Sequence, residues 1–294
     1  MVKRSVAVLL TILALACFGF GQNVDNGLAE LKARAEKGEP VAQFLLGRAY
    51  LFATDGLPRD EFAAAGWFLK AAQQGQMNSQ TFLGWMYEEG HGGLPKDDVQ
   101  AAFWYRKAAD QGEANAMRNL ALMCLDGRGG MPKDEVQGVI WFRKAADKGD
   151  ESAQNYLGLM YEKGRGGLEQ STEQAMSWYR KAADKGYASA QNNLAIIYLG
   201  HDPDLRNPRA ALDYAQKAVA SFKNNPIFLS TLAAAYYAEG QFEKAVVTQT
   251  TVMTLVPADK KADYEERLAM YTRALEVSKR EAKPVSTFPA AASH

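Results

Sequence analysis

The chain has 294 residues, with 34 lysines and arginines and 34 aspartates and glutamates. This neutral balance argues against a nucleic-acid-binding face or a patch for anionic membranes as the main function. Two cysteines are too few for a disulfide framework, and none of the three histidines has another His or Cys at a metal-ligand spacing. We therefore expect no metal, no cofactor and no nucleic-acid partner.

Residues 1–21 are predicted to be an export signal. A positively charged start precedes an apolar run at 6–16, which is too short to span a membrane comfortably. Small residues at the two positions that a signal peptidase inspects favour cleavage after Gly21. The alternatives are a lipoprotein signal, because L-A-C at 15–17 resembles a lipobox with Cys17 as the lipid anchor, and an uncleaved anchor. The first two predict an exported protein that is periplasmic or extracellular, or lipid-anchored in the envelope.

A phrase of the form W-x-x-K-A-A-x-x-G recurs at a step of 37 residues. Its tryptophans are Trp67, Trp104, Trp141 and Trp178. A fixed period of this length indicates a repeat architecture, in which each repeat must stack on its neighbours to bury its apolar face. The related stretch from Leu28 to Gly38 has Glu30 in place of the tryptophan. It is predicted to be a half-repeat at the end of the stack.

A second segment with helical spacing recurs between these phrases. Leu83, Met86, Tyr87 and Gly90 are three, four and seven residues apart, which places them on one face of an α-helix. A small residue recurs within this helix, at Gly47, Gly84, Ala121, Gly158 and Ala195. Glycine costs about 1 kcal/mol in a helix interior relative to alanine. We therefore expect a neighbouring helix to approach closely at this position.

The second helix of each repeat is predicted to begin after an N-cap residue. These residues are Asp60, Asp97, Asp134 and Ser171. A Gly-rich loop precedes them, and turn geometry explains it better than phosphate binding, because no strand comes before it and no G-K-[ST] follows. Trp104 shares a helix face with small alanines and is predicted to be a core residue around which two helices close.

The combined pattern A-x-x-x-L-G-x-M-Y-x-x-G-x-G, then D, then W-Y-R-K-A-A-x-x-G, resembles the Sel-one-like repeat, a relative of the tetratricopeptide repeat. The resemblance covers about residues 38–222 and five repeats. It implies an all-α fold, built as a right-handed superhelical solenoid of antiparallel helix pairs. It also implies an adaptor role in the assembly of protein complexes, without naming a partner.

From Pro226 the spacing becomes that of a 34-residue tetratricopeptide repeat. Further along, Tyr264, Leu268, Tyr271 and Leu275 share one apolar helix face, which predicts a capping helix whose other face is exposed to solvent. The predicted organisation is a signal peptide at 1–21, a half-repeat plus five Sel-one-like repeats at 22–222, a tetratricopeptide-type repeat plus capping helix at 223–280, and a disordered tail at 281–294.

We find no catalytic constellation in the sequence. His91 and His201 lie in loops of different repeats, without an acid placed to orient them. The pair Glu88-Glu89 is predicted to lie at a solvated helix end. Cys124 fills a slot that holds tyrosine in the other repeats, so we expect a small core residue, with a reactive thiol as the alternative. A hydrolase is a further alternative. The relatives that act on β-lactams have cysteine-rich repeats with a disulfide in each repeat, and this chain lacks them.

Positions on the first helices vary between repeats, while the packing positions recur. The family's groove positions, carried over to this sequence, predict a partner-binding surface that includes Arg48, Trp85, Glu88, Arg118, Asn155 and Asn192. Trp85 is the preferred anchor, because tryptophan and arginine are common interface hot spots. Arg118 and Asn155 are predicted to clamp a peptide carboxylate or backbone. The alternative for each residue is that it faces water.

These observations predict a monomeric, non-catalytic protein–protein interaction scaffold of the bacterial cell envelope. Its partner would be a protein or peptide segment bound in the concave groove. The main alternative is a carbohydrate- or peptidoglycan-binding module that stacks a sugar on Trp85.

Overall fold

The computed structural model describes residues 27–281. The predicted signal peptide, with its cleavage site at Gly21 and the lipobox cysteine Cys17, lies outside the described residues, as does the predicted tail beyond residue 281. The described part of the chain is helical throughout and contains no strand, so the predicted all-α class is confirmed.

Fourteen α-helices follow one another in the described range. They are α1 at 27–36, α2 Pro40–Phe52, α3 Glu61–Gln73, α4 Met77–Glu89, α5 Asp98–Asp110, α6 Ala114–Asp126, α7 Glu135–Asp147, α8 Glu151–Lys163, α9 Thr172–Asp184, α10 Ala188–Leu199, α11 Pro208–Ser221, α12 Pro226–Ala238, α13 Phe242–Leu255 and α14 Ala262–Glu281, with a short 3₁₀ turn at Ala258–Lys260. From α2 to α13 they form antiparallel pairs, each made of a first helix and a second helix.

The chain divides into two compact units. The first contains the described residues up to Ala153 together with Gly164–Glu169, and the second contains Gln154–Lys163 and the described residues from Gln170. Each compact unit has its own hydrophobic clusters of buried alanines, aliphatic residues and aromatic rings. The helix pair α12–α13 and the helix α14 follow the fifth repeat. Their assignment to a tetratricopeptide-type repeat with a capping helix stays a prediction.

The predicted N-cap residues do cap the second helices. The carboxylate of Asp97 accepts hydrogen bonds from the amides of Val99 and Gln100 at 2.9 and 3.0 Å. Asp60, Asp134 and Ser171 cap α3, α7 and α9 in the same way. These bonds satisfy amides of the first helical turn that have no partner within the helix.

The neighbouring helix approaches closely at the small residue of the first helix, as predicted, and an aromatic ring fills the space beside Gly47, Gly84 and Gly158. A Cβ atom on Gly84 would lie 2.7 Å from Cδ1 of Tyr105, and a Cβ on Gly47 would lie 2.8 Å from Cε1 of Phe68. The ring that enters this space, which we call the notch, belongs to the residue after the tryptophan. Trp104 itself packs against Ala72 of α3 and Leu83 of α4, so the prediction that helices close around it is confirmed. Trp104 is buried in the core, but Tyr105 is the fully buried ring that faces the notch.

The lysine of the repeated W-x-x-K phrase covers the outer side of the tryptophan. The ammonium groups of Lys70, Lys144 and Lys181 lie 4.3, 4.2 and 3.8 Å from the ring centroids of the tryptophans three residues before them. Side chains three apart on a helix are neighbours, and an ammonium over an indole face is attracted to it. The phrase therefore encodes a cation–π pair on the outer face of each second helix.

A buried glutamine ties several first helices, among them α2, α4 and α10, to the helix before them. The side-chain amide of Gln80 donates to the carbonyl of Ala72 at 3.1 Å, and it accepts from Gln111 at 2.7 Å. Gln43 repeats both bonds, with Ala35 and Gln74. The carbonyl of Ala72 also accepts from the amide of Gly75, so the glutamine adds a second bond at the end of the preceding helix. This role of the glutamine was not predicted from the sequence.

The Gly-rich loops pack against the preceding second helix. Gly129 has a φ of +66°, and a Cβ atom there would lie 2.8 Å from the carbonyl oxygen of Asp98. Gly92 and Gly166 contact the carbonyls of Glu61 and Glu135 in the same way. Only glycine fits a left-handed backbone this close to another helix, so turn geometry and packing account for these loops.

Candidate partner-binding site

The predicted site residues fall in both compact units. Arg48, Trp85, Glu88 and Arg118 belong to the first, whereas Asn155 and Asn192 belong to the second. All of them lie on first helices, as predicted, in α2, α4, α6, α8 and α10.

Arg48 is exposed, and its guanidinium carbon lies 5.7 Å from the ring centroid of Phe44. It lines a groove of about 530 Å³ between α1 and α2, together with Leu31 and Phe52. This groove is the open side of the first repeat, where the half-repeat contributes only α1.

Trp85 has a packing role. Its half-buried ring rests on the hydrophobic cluster that includes Phe44, Phe68 and Met86. The ring of His91 covers it, with centroids 4.8 Å apart, and Nδ1 of His91 lies 3.0 Å from Glu61. The indole is thus part of the core of α2, α3 and α4, and only part of its surface is open.

Glu88 is occupied by intramolecular partners. One carboxylate oxygen accepts from the hydroxyl of Tyr105 at 2.7 Å, and the other accepts from Arg128 at 2.7 Å. The side chain is 17% exposed. Burial, together with the nearby Glu88 charge, raises the pKa of Tyr105 far above its ordinary value. This acid holds α4 to α5 and to the loop after α6.

Arg118 occupies a position of the first helix that recurs every 37 residues and that we call the slot; it holds Thr81, Arg118, Asn155 and Asn192. In the first compact unit the slot contacts the start of the next first helix. The hydroxyl of Thr81 donates to Glu113 at 3.1 Å, and Nε of Arg118 lies 3.7 Å from Asp150. Glu113 and Asp150 are also the N-cap acids of the next first helices, where they accept from backbone amides. In α4 the slot thus joins one first helix to the start of the next, α6. The prediction that Arg118 binds a partner stays untested.

The same slot in the second compact unit holds Asn155 and Asn192. The N-cap residues that follow them are Tyr187 and Asn225, which are not acids. The side-chain oxygen of Asn155 accepts from Asn193 at 3.0 Å. Asn192 is only 4% exposed, and its side-chain oxygen has no hydrogen-bond partner among the described residues.

A groove runs beside these asparagines. One part has a volume of about 300 Å³ and is lined by Asn155, Leu159, Asn192, Asn193 and Ile227, among others. Ile227 also lines a second part of about 490 Å³, with Ile196, Ser230, Asp263 and Arg267. We call the two parts together the second-unit groove. Ile196 and Ile227 are 48% and 58% exposed, so its walls present apolar surface to solvent.

Arg267 projects from α14 into this groove. Its guanidinium donates to the hydroxyl of Ser230 on α12 at 3.2 Å. None of the ion pairs found in residues 27–281 involves Arg267, although Asp263 and Glu266 line a neighbouring cavity with it. The groove therefore has an unpaired positive charge at one end.

Residues 27–281 show little evidence of a metal site, a membrane-spanning helix or a reactive cysteine. No group of three or more His, Cys, Asp or Glu side chains in this range could hold a metal ion. No helix in it is long and apolar enough to cross a membrane. Cys124 is buried, with its sulfur 3.9 Å from that of Met131, and burial raises its pKa, so the core interpretation of this cysteine is confirmed.

The family model of the Sel1 repeat matches residues 40–76, 78–113, 114–150, 151–187 and 188–221. The chain belongs to the Sel1 repeat family. The five matches confirm the resemblance seen in the sequence, and they cover more than half of the chain. Sel1 repeat proteins are generally protein-interaction scaffolds rather than enzymes. No curated protein matches this Sel1 repeat chain.

Solved structures of other Sel1 repeat proteins are similar. The protective antigen c5321 of uropathogenic Escherichia coli, which displays an SLR fold, is 29% identical, with a TM-score of 0.67 over 83% of this chain and 55% of its own. The chain thus spans about half the length of c5321. A Sel1 repeat protein from Oxalobacter formigenes is 27% identical, with a TM-score of 0.63 over 92% of this chain and 98% of its own.

Proposed function

We propose that this Sel1 repeat protein is a non-catalytic interaction scaffold of the cell envelope, and that it binds a segment of a partner protein in the second-unit groove. The supporting observation is the change of role within one repeated slot. In the first compact unit the slot joins one first helix to the next, as in the hydrogen bond from Thr81 to Glu113, the acid that caps α6. In the second, Asn192 has an unpartnered oxygen beside exposed Ile227.

Unpartnered buried polar atoms cost free energy, and exposed aliphatic side chains gain from being covered. The orientation of an Asn carboxamide is assigned from its hydrogen bonds, so rotation would present either its oxygen or its nitrogen to a ligand. A groove of about 490 Å³ lies in the range of sites that bury a ligand, about 300–1,000 Å³. Together these features support a binding role for the second-unit groove.

The envelope location is supported by the leader sequence, which has the charged start and short apolar run of an export signal. Mass spectrometry of the mature protein tests it. A chain that begins at Gln22 would indicate cleavage after Gly21, and a lipid on Cys17 would indicate a lipoprotein. A mature chain that retains Met1 would contradict both.

The glycan-binding alternative depended on Trp85 as a stacking platform. His91 and the hydrophobic cluster cover much of that ring, so we favour a protein partner. We also propose that the scaffold is monomeric, and sedimentation of the purified protein tests this.

Affinity capture from an envelope extract tests the groove. The bait is the full chain, compared with Ile227→Ser and with Val247→Ser, which removes a similarly exposed aliphatic side chain from α13 in the same compact unit. We expect the wild type and Val247→Ser to capture one partner that Ile227→Ser loses. Equal melting temperatures of the variants would exclude a folding effect. Capture of that partner by Ile227→Ser would contradict binding in this groove.

A further inference from the structure

The second-unit groove also has a charge pattern that restricts its ligand. We propose that it binds an extended segment in which an aliphatic side chain is followed by an acidic side chain. This inference rests on the proposed function, since it specifies the chemistry of the segment that the groove would hold. Three features of the described residues carry it: the asparagine amides, the two isoleucines and the unpaired arginine.

The asparagines favour an extended backbone. The side-chain oxygen of Asn192 has no hydrogen-bond partner among the described residues, and Asn155 and Asn193, which bond to each other, line the same part of the groove. Carboxamides can bond a peptide backbone only where its N–H and C=O groups are free. A helical ligand uses those groups internally, whereas an extended segment leaves them available.

The isoleucines favour an aliphatic side chain in the middle of the segment. Ile227 lines both parts of the groove, and Ile196 lines the part nearer to Arg267. Their exposures of 58% and 48% are large for isoleucines that line a groove. Covering them removes apolar surface from water, which favours binding roughly in proportion to the area covered.

Arg267 favours an acid after that side chain. Its bond to Ser230 anchors the guanidinium across the groove, at the α14 end. Asp263, Tyr264 and Ser230 are the other polar residues of α12 and α14 that this end contains, together with Thr231. Asp263 is the acid among them, and it does not pair with Arg267. Arginine binds carboxylates with two parallel N–H bonds, so the free donors of Arg267 match a side-chain carboxylate better than an amide.

Fluorescence anisotropy with the full chain tests the proposal. The probes are labelled ten-residue peptides with an amidated C-terminus and a central Leu, with Glu placed one to four residues after the Leu and Ser or Ala elsewhere. A matched set carries Gln in place of Glu. The protein variants are Arg267→Gln, which keeps a donor for Ser230, and Arg209→Gln, which removes an exposed arginine from α11 in the same compact unit.

We expect one Glu spacing to bind best, and its Gln version to bind about tenfold more weakly to the wild type. Arg267→Gln should weaken the Glu peptide about tenfold and leave the Gln peptide within about twofold, while Arg209→Gln changes neither. Equal binding of the Glu and Gln peptides, equal losses in the two arginine variants, or no binding by any peptide would overturn the proposal. So would binding that appears only when a peptide has a free C-terminal carboxylate.

The two experiments fail separately. If partner capture still depends on Ile227 while peptide binding ignores the Glu and Arg267, the groove function stands and the acidic ligand is wrong. If capture does not depend on Ile227, the groove function itself is wrong.

Discussion

The hydroxyl of Tyr105 donates to the carboxylate of Glu88 across a distance of 2.7 Å. One repeat earlier, Phe68 stands in the place of the tyrosine and Leu51 in the place of the glutamate, and both are buried in one hydrophobic cluster. The hydroxyl and its acceptor are thus replaced together by two apolar groups. This contact between the end of a first helix and the middle of a second helix has a polar form and an apolar form.

Tyr105→Phe should destabilise the protein by about 0.5–1.5 kcal/mol, because it removes one hydrogen bond from a partly buried carboxylate. Adding Glu88→Leu to that variant recreates the pair found at Leu51 and Phe68 but also removes the partner of Arg128, so the losses of the two single variants should be less than additive. Urea unfolding of the single and double variants measures both effects. If the free energy of unfolding lost by the double variant exceeds the sum of the losses of the two single variants, the two forms of the contact are not interchangeable.

Gly84→Ala should destabilise the protein by about 1–3 kcal/mol, although alanine is the better helix former. The added methyl would lie 2.7 Å from the ring of Tyr105, which is fully buried. Gly66→Ala is the matched control, since a Cβ atom there meets nothing within 4 Å. It should stabilise the protein by roughly 0.5–1 kcal/mol. Thermal unfolding of both variants would reveal opposite signs, and a common sign would contradict the notch.

The repeated features of the fold were predictable because they recur at one spacing. The period located the helices, the N-cap residues such as Asp97, and the small residue at Gly84. The sequence did not show that the ring of Tyr105 enters the notch beside Gly84, because Trp104 and Tyr105 are both large aromatic residues and neighbours in sequence. The helical phase that separates them depends on the packing of a neighbouring helix, which a single sequence does not contain.

The candidate site was less predictable, because variable positions have two explanations. Glu88, Arg118 and Trp85 vary between repeats, as ligand-binding residues would. In the structure each contacts residues far along the chain, such as Arg128 for Glu88 and Asp150 for Arg118. Such partners change along with the position, so variation alone did not separate internal pairing from binding. Arg267, which the second-unit groove adds, lies outside the repeats from which the site was inferred.

Asp150→Asn should change how the stability depends on pH. Burial raises the pKa of Asp150, opposed by the amide of Ala153 and by Arg118. The folded state then binds a proton more tightly than the unfolded state, whose pKa is about 3.9, so the free energy of unfolding falls as the pH rises from about 4 through the raised pKa. Asparagine also caps helices but does not titrate.

Melting temperatures of the wild type and of Asp150→Asn at pH 4 and pH 7 measure this effect. The wild type should lose stability relative to the variant between the two values. A constant difference would show that the raised pKa does not contribute to the stability of the first compact unit.

Cys124 should react slowly with a thiol reagent in the native protein. Its side chain is 4% exposed, and the raised pKa lowers the fraction of thiolate, which is the reactive form. Labelling in urea should be at least about tenfold faster than labelling of the folded chain. A variant with Cys17→Ser restricts the signal to one thiol. Equal rates in the two states would support the reactive-thiol alternative.

Several hydrogen bonds within and between neighbouring repeats of this protein span about one repeat length or less. Examples link residues 8, 17, 31 and 40 positions apart, and several recur at the 37-residue step. A gene of this kind can gain or lose one 37-codon block by unequal recombination, and the joined ends would rebuild the same bonds. The number of repeats in a Sel1 array can therefore change over evolution without a new fold. The second-unit groove cannot be rebuilt in this way, because it includes residues of α14 that lie outside the five repeats.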